Sequence, residues 1–157
     1  MSQASGCVMG VNGNMVSVTV TGDVALNEVG YIVTGDPSTG EKKRLKSEVI
    51  RIRGDRAEVQ VFEMTRGIGV DDEVEFTGEL LAVELGPGLL ASVYDGLQNP
   101  LPELAEQCGF FLDRGVYVNA LNRKKKWEFT PKARSGDEVV RADAPGTVPE
   151  GIFEHRV

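Results

Sequence analysis

The run with the plainest chemical potential is Gly35-Asp36-Pro37-Ser38-Thr39-Gly40-Glu41-Lys42. A phosphate-binding loop needs glycine, four residues, then Gly-Lys-Ser/Thr, because backbone N–H groups cradle the phosphates while the lysine reaches the terminal ones. Here Glu41 stands where that lysine belongs, Lys42 comes one place late, and Lys43 replaces the metal-binding hydroxyl. No helical pattern follows, so the run reads as a polar hairpin tip. His155 is the only histidine and lies two residues from the end, so spacing supports neither a Ser-His-Asp nor a Cys-His arrangement, and it reads as a surface residue. Cys7 and Cys108 have no CxxC or histidine cluster around them and read as small buried hydrophobes. Asp71-Asp72-Glu73 has no flanking apolar run that would suit acid–base work, and reads as a solvated turn. Arg123-Lys124-Lys125-Lys126 before Trp127 joins cations to an aromatic that could stack on a nucleobase, but a protein contact or solvated hairpin fits better. No catalytic, cofactor-binding or metal-binding residue is expected in this chain.

Charge agrees with that preference. Among 157 residues, 24 acids against 17 Lys/Arg give a net charge of −7, which repels nucleic acid and anionic lipid and points to a protein partner. The charges are segregated: residues 41–56 hold seven Lys/Arg and three acids, whereas residues 57–110 hold one Arg and eleven acids. Opposite local fields of this kind can orient neighbours in an assembly. Two distant cysteines and no signal-peptide pattern suggest a reduced, cytoplasmic setting. The longest aliphatic run, Leu80–Val83, is far short of the roughly 20 residues that cross a bilayer, so no direct membrane insertion is expected.

The elements that would position these groups are mainly β. Val16, Val18 and Val20 alternate with Ser17, Thr19 and Thr21, the period of a strand with one buried face. Cys7–Val11 precedes them, and Asn12-Gly13 suggests a type I′ hairpin turn. Ile50 and Ile52 alternate with Arg51 and Arg53, Gly54-Asp55 turns the chain, and Ala57, Val59 and Val61 return. With Val29–Thr34, Val74–Phe76 and Leu80–Val83, about six closely spaced strands predict a small closed N-terminal β-barrel over residues 1–83. Residues 84–114 read as a linker with one short helix. Gly86-Pro87-Gly88 breaks regular structure, and Leu101, Leu104, Ala105 and Cys108 recur at helical spacing between Pro102 and Gly109. From Gly115, strand patterning resumes at Val116, Val118 and Leu121, at Trp127 and Phe129, and at Val139 and Val140, predicting a β-rich region over 115–157. Asp137–Val148 reads as strand, turn, strand, and Ile152–Val157 begins another strand whose edge would be unpaired, an expectation that suits a piece of a longer subunit.

These pieces resemble one family in order. Ile50–Glu63, Thr65, Gly67 and Thr77-Gly78-Glu79 resemble the N-terminal barrel of the catalytic A subunit (alpha chain) of V-type and archaeal-type rotary ATPases. Val83–Leu90, Tyr94-Asp95-Gly96-Leu97-Gln98 and Pro100-Leu101 are similar to the stretch that follows, and Arg114-Gly115-Val116 with Lys125–Pro131 resemble the opening of the family's bulge insertion, the non-homologous region. The likeness runs from about residue 6 to the end. It implies a barrel that meets B subunits of the same ATPase, a bulge near peripheral-stalk subunits, and a parent that couples ATP hydrolysis or synthesis to proton or sodium transport. It also implies that ATP and Mg are held by a later domain, so no catalytic residue carries over to this chain. Residues 35–47 are longer and more polar than the family's usual hairpin, and Val70-Asp71 stands where Pro-Gly is customary. Two other readings remain: a standalone β-barrel adaptor, and a biotinyl- or lipoyl-type carrier domain, since Lys132–Val148 with Ser135-Gly136-Asp137-Glu138-Val139 resembles half of such a sandwich. The carrier reading lacks the Met-Lys-Met or Asp-Lys-Ala turn its chemistry requires.

Overall fold

The computed structural model describes residues 4–35, 39–90 and 92–157. Six strands, β1 (Ser5–Asn12), β2 (Met15–Thr21), β3 (Glu28–Gly35), β4 (Lys42–Arg53), β5 (Arg56–Val61) and β6 (Glu73–Leu80), close into a barrel in the order β1-β2-β5-β4-β3-β6. Every neighbouring pair is antiparallel. Period-two alternation sends Val8, Val16, Val18, Ile32, Leu45, Val49, Val59, Val74 and Phe76 inward, each at 1% exposure or less. Burying each of these contributes on the order of 1.5–3 kcal/mol relative to leaving it in water. The inward Ser47 donates its hydroxyl proton to the Gly30 carbonyl at 3.0 Å, so the interior holds no unmatched polar side chain there. Gly6 takes an inward place on β1 where a Cβ would lie 2.1 Å from the Thr19 carbonyl oxygen, so nothing larger fits.

The two hairpins show what local chemistry decides. Asn12 pairs with Met15, so the first turn is Gly13-Asn14 rather than Asn12-Gly13. Only Gly13 has positive φ, at 62°, the pattern of a type II′ rather than a type I′ turn. Gly54-Asp55 turns the second hairpin as expected, between the paired Arg53 and Arg56. Leu80–Val83 is not a separate strand: Leu80 ends β6, and Leu81 and Val83 are exposed in irregular backbone. Cys7 is exposed rather than buried, because Gly6 and Val8 occupy the inward positions on either side of it, and Cys108 is half-buried.

The chain divides into two compact units, Met1–Ala82 with Asp113–Val116, and Val83–Leu112 with Tyr117–Val157. Residues 113–116 join the barrel unit through Arg114, which donates to the carbonyls of Met64 and Arg66, and through the Gly115 N–H, 2.9 Å from a Glu63 carboxylate oxygen. The second unit holds α1 (Leu101–Cys108) and a sheet of β7 (Thr130–Pro131), β8 (Gly146–Glu150) and β9 (Phe153–Arg156) in that order. α1 has Pro102 in its first turn, buries Leu104, and ends where the Gly109 N–H donates to Ala105 at φ 73°.

Most of the strand patterning expected after Gly115 does not form strands. Val116, Val118, Leu121, Trp127 and Phe129 lie in irregular backbone. The Val118 N–H donates to Asn99 and the Leu121 N–H to Glu84, so side-chain carbonyl and carboxylate oxygens replace a strand ladder. Val139 and Val140 are exposed, and Asp143 folds back to accept from the Val140 N–H at 2.9 Å, so Asp137–Val148 supplies one strand, β8, and not two.

Candidate functional site

A barrel packed with aliphatic side chains and Phe76 leaves no room for a ligand inside, which directs attention to the outer surfaces and to the second unit. The phosphate-loop candidate falls on the connection between β3 and β4. Asp36–Ser38 lie outside the described residues, but Gly35 and Lys42 pair directly across the two strands and no helix follows Lys42. Lys42 therefore belongs to a hairpin and has no helix dipole beside it. Asp71-Asp72-Glu73 is a turn leading into β6, in which Asp72 accepts from the Gly69 N–H at 2.9 Å and Asp71 has φ 71°.

The basic run is engaged with its own chain. Arg123 pairs with Glu84, and the Lys125 ammonium lies 3.8 Å from the centroid of the Trp127 ring, covering one of its faces. At the proposed carrier turn, the Arg134 N–H donates to Asp137 at 2.7 Å, and no lysine stands at Ser135-Gly136.

The tightest polar cluster surrounds Glu150, which the sequence did not single out. β8 delivers its carboxylate into the second unit at 5% exposure. One oxygen accepts the N–H groups of Gly88 at 2.6 Å and Leu90 at 3.1 Å; the other lies 2.9 Å from Nδ1 of His155 on β9. Burial pushes the Glu150 carboxyl up, but the two backbone donors and His155 outweigh it and hold the group below the ordinary carboxylate value. His155 is thus a half-buried partner of Glu150 and not a free surface residue. A cleft of about 280 Å³ adjoins the cluster, lined in part by Pro87, Tyr94, Asn122 and Trp127.

Chemically this arrangement is a clamp. Both Glu150 oxygens are committed, and the neighbouring polar groups are committed as well. Glu84 and Gln98 exchange two bonds of 2.7 Å, and Asp95 accepts from the N–H groups of Leu97 and Asn99 and from the Asn99 amide. No nucleophile with an adjacent free base results, and among the described residues no three His, Cys, Asp or Glu side chains converge as a metal site. The signal for Glu150 was hard to find because its donors lie 62 and 60 residues away in the chain.

Residues 8–78 match the family model for the ATP synthase alpha/beta family, beta-barrel domain, and residues 118–157 match that for the ATP synthase alpha/beta subunit barrel-sandwich domain. Between them the two models cover more than half of the chain. The chain is 64% identical over 157 residues to the V-type ATP synthase alpha chain of Treponema denticola. It is 59% identical over 157 residues to alpha chain 1 of Treponema pallidum, and 57% identical over 155 residues to the alpha chain of Borrelia hermsii. The alignments cover 99% to 100% of this chain but only 26% of each relative, so the chain spans about a quarter of the length of the curated relatives it matches. With a filled six-stranded barrel where the first family model falls and a likeness that extends along the whole sequence, the chain belongs to the ATP synthase alpha/beta family.

Proposed function

We propose that this chain is the N-terminal assembly region of the catalytic alpha subunit of a V-type ATP synthase or ATPase, contributing architecture and not nucleotide chemistry. The observation that carries this reading is the 64% identity over all 157 residues to an alpha chain about four times as long, in a segment whose Glu150 and Asp95 carboxylates are spent on holding backbone. The barrel engages B subunits of the same complex, and the segment after it lies near peripheral-stalk subunits. ATP and Mg belong to the remaining three quarters of the alpha chain, where hydrolysis or synthesis is coupled to proton or sodium transport. No helix among the described residues is long and apolar enough to cross a membrane, which suits a cytoplasmic position in a membrane-attached complex.

Co-expression of the tagged chain with the B subunit tests this directly. Stable co-purification without added nucleotide is the expected outcome. Failure of the two to associate, with the chain folded by circular dichroism, would remove the assembly role.

A further inference from the structure

We propose that a groove on the outer wall of the barrel, walled by Arg51, Arg53 and Arg56, docks a carboxylate-rich segment of a neighbouring protein subunit. The groove has a volume of about 360 Å³, and Met9, Gly10 and Ser17 form its opposite wall. The proposal deepens the assembly reading and rests on it for the nature of the neighbour.

Backbone irregularities build this groove. In β4, Leu45, Ser47 and Val49 point inward, so simple alternation would send Arg51 and Arg53 inward too. The register slips between Val49 and Arg51: Val49 pairs with Val59 and Arg51 with Glu58, leaving Ile50 as an extra residue. This bulge reverses the alternation and turns Arg51 and Arg53 outward, beside Arg56 and Glu58 of β5. β1 slips in the same way between Val8 and Gly10, with Met9 as the extra residue. Gly10 then faces the groove without a side chain, and a Cβ there would meet nothing within 4 Å. Two bulges thus flank one concavity, the placement in which bulges re-aim side chains toward a site.

Two of the three arginine charges in the groove are left uncompensated. Arg51 pairs with Glu58 at 3.2 Å. Arg53 and Arg56 stand directly opposite one another across the β4–β5 ladder, and among the described residues neither has a carboxylate partner. Like charges directly opposed across strands destabilise a sheet. Glu58 is the one acid among the groove's lining residues, and its ion pair is with Arg51, so it leaves Arg53 and Arg56 unneutralised in a chain of net charge −7.

Two guanidinium forks on a concave wall match carboxylate oxygens in bidentate geometry. The exposed side chain of Met9 also lines the site, and Arg beside Met is a mixture that suits a protein interface. A nucleic acid would need a row of phosphate contacts over a far larger area, against the repulsion of the whole chain.

The test is a nuclear magnetic resonance titration of the isotope-labelled full chain with an acetylated, amidated Glu-Asp-Leu-Glu-Glu peptide, with inorganic phosphate and a twelve-residue oligothymidylate as alternative probes. Peptide-induced shifts confined to Gly10, Ser17 and residues 51–58 are expected. The double variant R53E/R56E, whose altered side chains are exposed, should bind the peptide at least about tenfold more weakly. R53Q/R56Q should fall between the two and serves as the check should R53E/R56E fail to fold. The proposal is overturned by the absence of peptide shifts, by shifts that persist unchanged in both variants, or by tighter binding of phosphate or the oligonucleotide at the same amides. Co-purification of R53E/R56E with the B subunit separates the two readings. Undiminished association sinks the groove and leaves the assembly role standing, whereas peptide binding at the groove without B-subunit association sinks the assembly role alone.

Discussion

The two units of this chain reach stability by opposite means. The barrel satisfies its backbone through strand ladders and fills its interior with alternating aliphatic side chains, so its fold is set by a pattern repeated every second residue. The second unit has three short strands and one helix, and much of its backbone is held by carboxylate and amide side chains: Glu84, Asp95, Asn99 and Glu150. It also leaves large apolar side chains in water, with Leu85 at 81%, Phe111 at 86% and Ile152 at 93% exposure. The difference teaches that the barrel is sufficient to itself, whereas the second unit depends on a few buried polar ties whose loss is felt locally.

The largest effect expected on that contrast comes from the barrel core. Phe76→Ala removes a fully buried ring and should cost about 3–5 kcal/mol, lowering the urea midpoint of the main circular dichroism transition. A loss well under 1 kcal/mol would mean that the barrel does not rest on that packing. Next comes the polar clamp. Glu150→Gln should cost about 1.5–3 kcal/mol, because charge-assisted bonds to Gly88, Leu90 and His155 are weakened in a buried place. Hydrogen exchange should quicken at the Gly88 and Leu90 amides and leave barrel amides such as Val18 and Leu45 unchanged. Uniform quickening throughout would erase the distinction between the regions.

Acid should sharpen the same contrast. Folding depresses the Glu150 pKa, so the unfolded chain takes up this proton at higher pH than the folded one. The stabilisation is therefore complete above the ordinary carboxylate value of about 4.3 and is lost as pH falls from there through the lower folded value. Trp127, the only tryptophan, lines the cleft next to Glu150 and reports on this unit alone. Its fluorescence should change over that window in the wild type and much less in Glu150→Gln; identical acid titrations would contradict the assignment. The smallest effect concerns Asp71, held at φ 71° where glycine is unstrained. Asp71→Gly should raise stability by about 0.5 kcal/mol, as relief of left-handed strain slightly exceeds the added freedom of the unfolded chain.

The same contrast explains what could be read before the structure was known. Val16 and Val18, and Ala57, Val59 and Val61, announce their strands because inward residues recur at the strand's own period, and Gly54 marks its turn by the φ it alone adopts without strain. α1 was equally plain, since Pro102 and Gly109 bracket Leu104 at helical spacing. The bulges at Met9 and Ile50 leave no such trace, because a register slip depends on the partner strand and not on the residue that slips. After Gly115 the valines suggested strands, but there the chain is anchored by acceptors dozens of residues distant, so local alternation misled. Glu150 and His155 show the same limit: they sit five residues apart on adjacent strands, and the other donors to Glu150 come from Gly88 and Leu90, about sixty residues away in the chain.

The central claim is that this segment assembles and does not bind nucleotide. A calorimetric titration of MgATP into the folded chain tests it most directly. No saturable heat is predicted, because Glu150 at the second-unit cleft has both oxygens committed to Gly88, Leu90 and His155 and the Lys125 ammonium lies on Trp127. A one-site isotherm that saturates would contradict the account and place nucleotide chemistry within these 157 residues.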